Sequence, residues 1–407
     1  MIKTGKVSVG ILGGGMQGSC MALLFRKKGY EVTILEQADD LMSRASFNQE
    51  GKIHMGFIYA HDTSMNTGHK LMRDCLHFAS CLEELLDEKI NWNQIKSDKF
   101  MYLVPKDSIT DAMEIKRYFG KLQSEYEKIM RSYPHLSYLG ERPEKIYESV
   151  PLPGFAEASQ FANSFQTEEV AVSQNILRER VRKKLTGQQI KICLNTKVLG
   201  CKKLSACAYE VNTTKGDHSF DYVVNCLWEN QAMLDAQLGV NQKTNINLRL
   251  KFGLVSSHID ALDTLPSFSM ITGAYGDFVN FTNTIDRQMY FSWYPVSRYG
   301  MLVNQAIPQE WNNICNGIIP EELYSSQIKD QLKAYQNLFK TEFNFNSPKL
   351  IPGIIVAKGL ADIDDDQTEL HTRDEDPVFY SEGYFSISTG KFTSIPYNTH
   401  VASTYLN

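Results

Sequence analysis

Residues 7–36 constrain this chain more than any others. Val7-Ser-Val-Gly-Ile-Leu12 runs into Gly13-Gly-Gly-Met-Gln-Gly18, and after a helical stretch comes Glu31-Val-Thr-Ile-Leu-Glu36. An apolar run, a G-x-G-x-x-G loop, a helix and a second apolar run ending in an acid describe one βαβ unit. Gly13 allows the tight turn, Gly15 lets a pyrophosphate approach the backbone, and Gly18 lets the helix pack close to the strand. The helix N-terminus then directs free N–H groups at phosphate oxygens. Glu36 is placed to accept hydrogen bonds from ribose hydroxyls. The order of these parts predicts a dinucleotide-binding protein; a glycine turn without a nucleotide is the alternative.

The chain has 407 residues, 43% of them hydrophobic and 22% charged. This is globular composition with room for two domains or three. A net charge of −5 and a pI near 6.0 leave no electrostatic footprint for nucleic acid, and none is expected as a partner. The basic stretch Arg178 to Lys203 is interleaved with apolar residues, so it reads as the solvated face of a helix and strand. No apolar run is long enough to cross a bilayer, and residues 1–12 lack a secretory apolar region, so no transmembrane segment is expected.

The cysteines at 20, 75, 81, 193, 201, 207, 226 and 315 show no C-x-x-C and no metal-ligand spacing. They read as reduced thiols of a cytoplasmic protein without a metal. Asp362-Ile-Asp-Asp-Asp366 begins like a calcium loop, but Gln367 and Arg373 stand where glycine and glutamate are required. A solvated loop is expected there.

Spacing predicts the organisation downstream. Ser43 to Gly56 reads as polar and extended. A helix follows with Leu71, Cys75, Phe78, Leu82 and Leu85 on one face. Another starts near Ser108, with Ser108-x-x-Asp111 as cap, and fades before Pro134. Residues 173–186 read as a helix with Ser173 as cap and Gly187 as stop. Ile190–Leu194, Ala208–Thr213 and Tyr222–Cys226 read as strands returning to the nucleotide domain. Ile246, Leu248, Leu250 and Phe252 alternate with Asn247, Arg249 and Lys251, which predicts an antiparallel strand with one wet face. In Arg287–Pro295, Tyr290, Ser292 and Tyr294 face one way, Phe291 and Trp293 the other. A helix is expected from about Pro320 with Leu332, Tyr335, Leu338 and Phe339 on one stripe. Near the end, Tyr384–Ser394 is a strand entering a glycine turn, then a short helix.

This layout resembles the FAD-dependent D-amino-acid-oxidase superfamily. Besides the N-terminal unit, Ser46-Phe-Asn-Gln-Glu-Gly-Lys-Ile-His-Met-Gly-Phe57 is similar to the segment leading to I-H-x-G in flavin-dependent glycerol-3-phosphate and L-2-hydroxyglutarate dehydrogenases. Thr389-Gly-Lys-Phe-Thr-Ser394 is similar to the G-K-x-T-T near their C-terminus. The resemblance implies an α/β fold: a Rossmann-like FAD-binding domain with an inserted antiparallel-sheet substrate domain. It puts residues 1–90, 150–235 and 350–407 in the first, and 91–149 and 236–349 in the second. It implies FAD contacts from Gly13, Gly15, Met16, Gln17, Gly18, Glu36, Ser46, Gly51, His54, Val170, Gly390, Lys391, Phe392 and Thr393. One departure stands out: the family's small A-x-G after the Tyr222–Cys226 strand is Cys226-Leu-Trp228 here. Trp228 must point away or stack on the cofactor.

Hydride transfer to flavin needs a substrate C–H at N5, a group that takes the O–H or N–H proton, and a cation beside the reduced ring. By resemblance Lys391 supplies the cation, helped by the following helix N-terminus. His54 is the candidate base or flavin contact, with a hydrogen-bonded core histidine as the alternative. An anionic substrate calls for an arginine fork, and Arg287, Arg298 and Arg249 are the candidates, Arg287 foremost. Tyr290 could offer a hydroxyl to substrate, as could Tyr275 and Tyr294, although tyrosines in such strands also serve as core.

The function expected is an FAD-dependent oxidoreductase, oxidase or dehydrogenase, acting on a CH–OH carbon of a small, anionic metabolite. Its electrons would pass to oxygen or another acceptor. Oxidation of CH–NH in an amine or amino acid, an NAD(P)H-dependent flavin monooxygenase and a binding module without catalysis are the alternatives.

Overall fold

The computed structural model describes residues 6–205, 208–240, 245–257, 265–281, 284–340, 345, 347–363, 365, 372 and 376–406. Cys207, Asp364, Asp366, Gln367 and Arg373 lie outside them. Strand β1 (Ser8–Leu12), helix α1 (Met16–Lys27) and strand β2 (Glu31–Leu35) form the expected unit. β1 pairs in parallel with β2 on one side and with Tyr222–Asn225 on the other. Tyr384–Ile387 and Val378–Ser381 extend the sheet past Tyr222–Asn225, and Lys191–Cys193 extends it past β2. Val9, Ile11 and Leu12 are fully buried, as a parallel strand covered on both faces requires. Helix α1 is buried on all sides from Met16 to Phe25, and Ile395–Ser403 packs beside it.

The second sheet is mostly antiparallel. It runs Arg298–Val303, Ile246–Ser257, Gln288–Trp293, Gly276–Asn280, Phe268–Met270, Met101–Pro105, Phe161–Thr167 and Tyr147–Val150, with Lys349–Lys358 on the far side of Ile246–Ser257. Phe252, Phe268, Phe278 and Phe291 form its core with Tyr335 from the helix Glu321–Gln336. Phe161–Thr167 and Lys349–Lys358 both belong to this sheet, so the boundaries expected at 150 and 350 cut through it.

Helices fall close to the sequence expectations. Asn66–Leu86 buries Leu71, Cys75, Phe78 and Leu82, and Gln174–Thr186 starts where Ser173 Oγ accepts from the Ile176 amide. The helix Ala112–Ser132 is capped by Asp111, whose carboxylate accepts from Met113 N–H at 2.7 Å. Ser108 is no part of that cap; its hydroxyl donates to Thr110 O at 2.9 Å.

Three expectations change. Ser43–Glu50 folds as turns, and only Lys52–Ile53 is a strand, paired with Val170–Ala171. Ala208–Thr213 joins Val198–Ser205 and Gly216–Phe220 in a separate three-stranded sheet. The polar face of Ile246–Ser257 is not wet: Asn247 and Arg249 are buried and Lys251 is half-buried. Alternation reports two faces but not what covers each one. Among the described residues, no helix is long and apolar enough to cross a membrane and no side-chain group could hold a metal ion. The seven described cysteines are free thiols.

Candidate active site

A cavity of about 330 Å³ joins the two sheets. One end is built by the turn between β1 and α1. Gly13 has φ +96°, open to glycine and strained for other residues. A Cβ on Gly18 would overlap the Gly13 carbonyl oxygen, so a glycine there is what lets α1 start so close to β1. Glu36 accepts from Gly14 N–H at 2.6 Å and Ala38 N–H at 2.8 Å, holding the loop against β2. Burial pushes its carboxyl up, and these two amides pull it back. Ser46 Oγ accepts from Met16 N–H at 2.9 Å, and Gln17 donates to Thr399 Oγ at 3.0 Å.

Gly13, Gly15, Gln17, Glu36 and Ser46 line the cavity, while Met16 and Gly18 lie behind its wall. Gly51 and Val170 also stand behind. Gly51 O accepts from Val172 N–H at 2.9 Å, and Val170 N–H donates to the Tyr138 hydroxyl at 3.0 Å. Thr196–Val198 line the cavity too, without having been marked by any motif in the sequence.

At the other end His54 N–H donates to Thr393 Oγ at 2.8 Å, which joins the I-H-x-G and G-K-x-T segments. The His54 ring is 4% exposed, with Nε2 3.9 Å from Glu50 and Nδ1 3.6 Å from Glu169. Burial, then the Lys391 cation, pushes this imidazole below its ordinary value. Lys391 Nζ lies 5.6 Å from the centre of the Tyr59 ring, and Gly390, Lys391 and Phe392 line the cavity. Thr393 supports them from behind.

The wall formed by the second sheet carries Arg249, Lys251, Tyr275, Asp277, Tyr290 and Tyr294. Lys52, 1% exposed, reaches across to Asp277 Oδ1 at 2.7 Å and also bonds Ser269. Burial opposes ionisation of Asp277, yet Lys52 and Lys251 hold its carboxyl below the usual range. Lys251 is lowered as well, chiefly by burial. Arg249 donates to the Tyr294 hydroxyl at 2.8 Å, which donates to Asp362 at 2.7 Å. Arg249 Nε is buried without a hydrogen-bond partner.

Arg298 is 3.0 Å from Asp362 and does not line the cavity. Arg287, the arginine expected foremost, is exposed in a turn before Gln288–Trp293 and stands apart from the cavity. Position along the strand explains this: Arg249 lies mid-strand on the cavity wall, Arg287 at a strand end.

Trp228 (φ +53°) lines the cavity and donates its indole N–H to Ile354 O at 2.8 Å. It also lines a side pocket of about 60 Å³ bounded by Ala232, Val356 and Ser388. Arg44, 3.1 Å from Glu229, ties the Trp228 loop to the segment after β2.

These residues fit an FAD. The glycine turn opens onto the cavity at α1, whose N-cap Gly15 offers no side-chain cap. The same cavity continues from Glu36 to Lys391 and His54. Those residues would hold the nucleotide at one end and face the flavin at the other.

A family model described as FAD dependent oxidoreductase (DAO) matches residues 8–291. Among curated proteins, the FAD-dependent monooxygenase FPY4 of Fusarium mangiferae is 42% identical over 53 residues, 13% of this chain and only 14% of that protein. Among solved structures, glycine oxidase from Geobacillus kaustophilus superposes with TM-score 0.62 at 15% identity, covering 97% of this chain and 93% of that one. L-alpha-glycerophosphate oxidase from Mycoplasma pneumoniae with FAD bound superposes with TM-score 0.63 at 12% identity, covering 99% and 94%. Likeness at such identity concerns the fold, whereas the family match covers most of the chain. The chain belongs to the DAO family of FAD dependent oxidoreductases, and it is an enzyme with FAD as its cofactor.

Proposed function

We propose that this enzyme oxidises a CH–OH carbon of a small anionic metabolite in the cytoplasm. The observation that carries the reading is one cavity in which His54, Lys391 and the cationic pair Arg249 and Lys251 stand together. FAD, held between the Gly13–Gly18 turn and Lys391, would supply the two-electron acceptor for the substrate carbon. His54, depressed by burial and by Lys391, is a neutral imidazole at pH 7 and takes the hydroxyl proton. Lys251 and Arg249, side by side on the cavity wall, supply the positive charge that holds the anionic group. Lys391 keeps positive charge at the flavin end, and Tyr290 closes the wall beside Gly253. The free cysteines, five of the seven described ones buried, support the cytoplasmic placement.

A second reading, oxidation of CH–NH in an amino acid, has one observation in its favour. Glu50 lines the same cavity and interacts with Lys251 and Lys391, so a substrate ammonium could bind beside it. The test is anaerobic addition of hydroxy acids, polyol phosphates and amino acids to the yellow holoenzyme. Bleaching by a hydroxy compound supports the first reading, and bleaching by amino acids alone replaces it with the second. Bleaching by NADPH alone overturns both in favour of a monooxygenase.

A further inference from the structure

Glu169 has no place in the mechanism above, yet it is among the most confined charges in the molecule. It is fully buried, at the turn between Phe161–Thr167 and Val170–Ala171. Val170–Ala171 pairs with Lys52–Ile53, and this ladder carries Glu169 to the residue that follows Ile53. Glu169 Oε2 accepts from Met55 N–H at 2.6 Å, and Oε1 accepts from the Tyr102 hydroxyl. Oε1 is also 3.6 Å from His54 Nδ1, a buried atom with no hydrogen-bond partner.

We propose that Glu169 is a positioning residue that keeps the His54 proton on Nδ1 and leaves the Nε2 lone pair facing the cavity. The physical reason is the asymmetry of the ring's surroundings. Nδ1 faces a carboxylate fixed by two donors, which accepts hydrogen bonds and cannot donate one. Nε2 faces Glu50 at 3.9 Å, a side chain on the cavity wall that also answers to Lys251 and Lys391. The other charges acting on the ring are Lys391 and Lys52, both of which oppose a positive imidazole; the Tyr59 ring stands beside it. A neutral ring with Nδ1–H toward Glu169 gives the nearer, fully buried carboxylate its donor, while Glu50, beyond hydrogen-bond reach of Nε2 at 3.9 Å, is balanced by Lys391 and Lys251. It is also the tautomer that can accept a substrate proton at Nε2. Assigning that proton transfer rests on the CH–OH reading; assigning the tautomer does not.

Glu169→Gln inverts the arrangement. The amide oxygen must stay on Met55 N–H, because the amide nitrogen would oppose it donor to donor. The NH₂ group therefore takes the Oε1 position and donates to Nδ1, driving the ring proton to Nε2.

The test is ¹⁵N NMR of histidine-labelled, FAD-loaded protein without substrate, with His54 assigned by its loss in His54→Asn. The expected result is the Nδ1–H tautomer in the unsubstituted protein and the Nε2–H tautomer in Glu169→Gln. Nε2–H in the unsubstituted protein, or an unchanged tautomer in Glu169→Gln, overturns the proposal. Tyr102→Phe serves if Glu169→Gln does not fold. With one donor gone, the carboxylate turns to His54, the Nδ1–H tautomer persists and the His54 titration moves to higher pH; an unmoved titration overturns the proposal. Flavin reduction by an identified substrate should fall about 100-fold in Glu169→Gln at nearly constant KM, the scale of a lost general base. A tautomer as stated with an unaffected rate refutes His54 as the base and leaves the positioning intact.

Discussion

His54 N–H donates to Thr393 Oγ at 2.8 Å, across 339 residues of sequence. Thr393 in turn donates to Lys52 O at 3.3 Å, so the two segments at this end of the cavity are tied by one hydroxyl. Thr393→Val leaves a buried N–H without an acceptor. It should cost about 1–3 kcal/mol in chemical denaturation and weaken FAD retention, while Thr393→Ser stays near the unsubstituted value.

Lys52 and Asp277 join the Lys52–Ile53 strand to the second sheet through an ion pair in which Lys52 is fully buried. Asp277→Asn should destabilise the protein by about 3 kcal/mol, because it strands a buried ammonium. Lys52→Met combined with Asp277→Asn should recover much of that loss in denaturation experiments. The Asp277 carboxyl is depressed, so its contribution is complete above the ordinary carboxylate range and is lost as pH falls through the depressed value.

The pH profile of flavin reduction should show an acid limb below about pH 6.5, the ordinary histidine value. The sign follows from the base: His54 is lowered by burial and Lys391, stays neutral above its depressed value and loses activity as it protonates. Lys391→Met removes one depressing charge and should move the limb upward. A limb that survives in His54→Asn would mean another group titrates.

Arg249 and Lys251 face the cavity from one strand. Lys251→Met should raise KM for an anionic substrate about 10-fold or more, in keeping with the loss of one charge-assisted bond. FAD content should be unchanged, since neither residue is at the nucleotide end. Absorbance of the purified protein and steady-state kinetics separate these outcomes.

Trp228 separates the main cavity from the side pocket. Trp228→Gly relieves a left-handed backbone and removes the indole bond to Ile354 O. The two pockets should then merge, and iodide should quench the flavin fluorescence more strongly than in the unsubstituted holoenzyme.

The sequence by itself determined whatever depends on short spacing. The β1–α1–β2 unit needs glycines at 13, 15 and 18 and an acid at 36, all within thirty residues. The Asn66–Leu86 helix follows from apolar periodicity and the Gln174–Thr186 helix from periodicity with its Ser173 cap, signals that are local as well. Family likeness marked His54 and Lys391, and both line the cavity. Tertiary structure alone decided which polar residues meet. Arg249 and Lys251 looked like a wet strand face until the cavity covered it, and Arg287 looked the foremost anchor until it fell at an exposed strand end. Glu169 and Asp277 carry no sequence signal, because their partners, His54 and Lys52, lie more than a hundred residues away. Burial and charge pairing arise from surfaces brought together by folding, and no local pattern encodes the neighbour across a cavity.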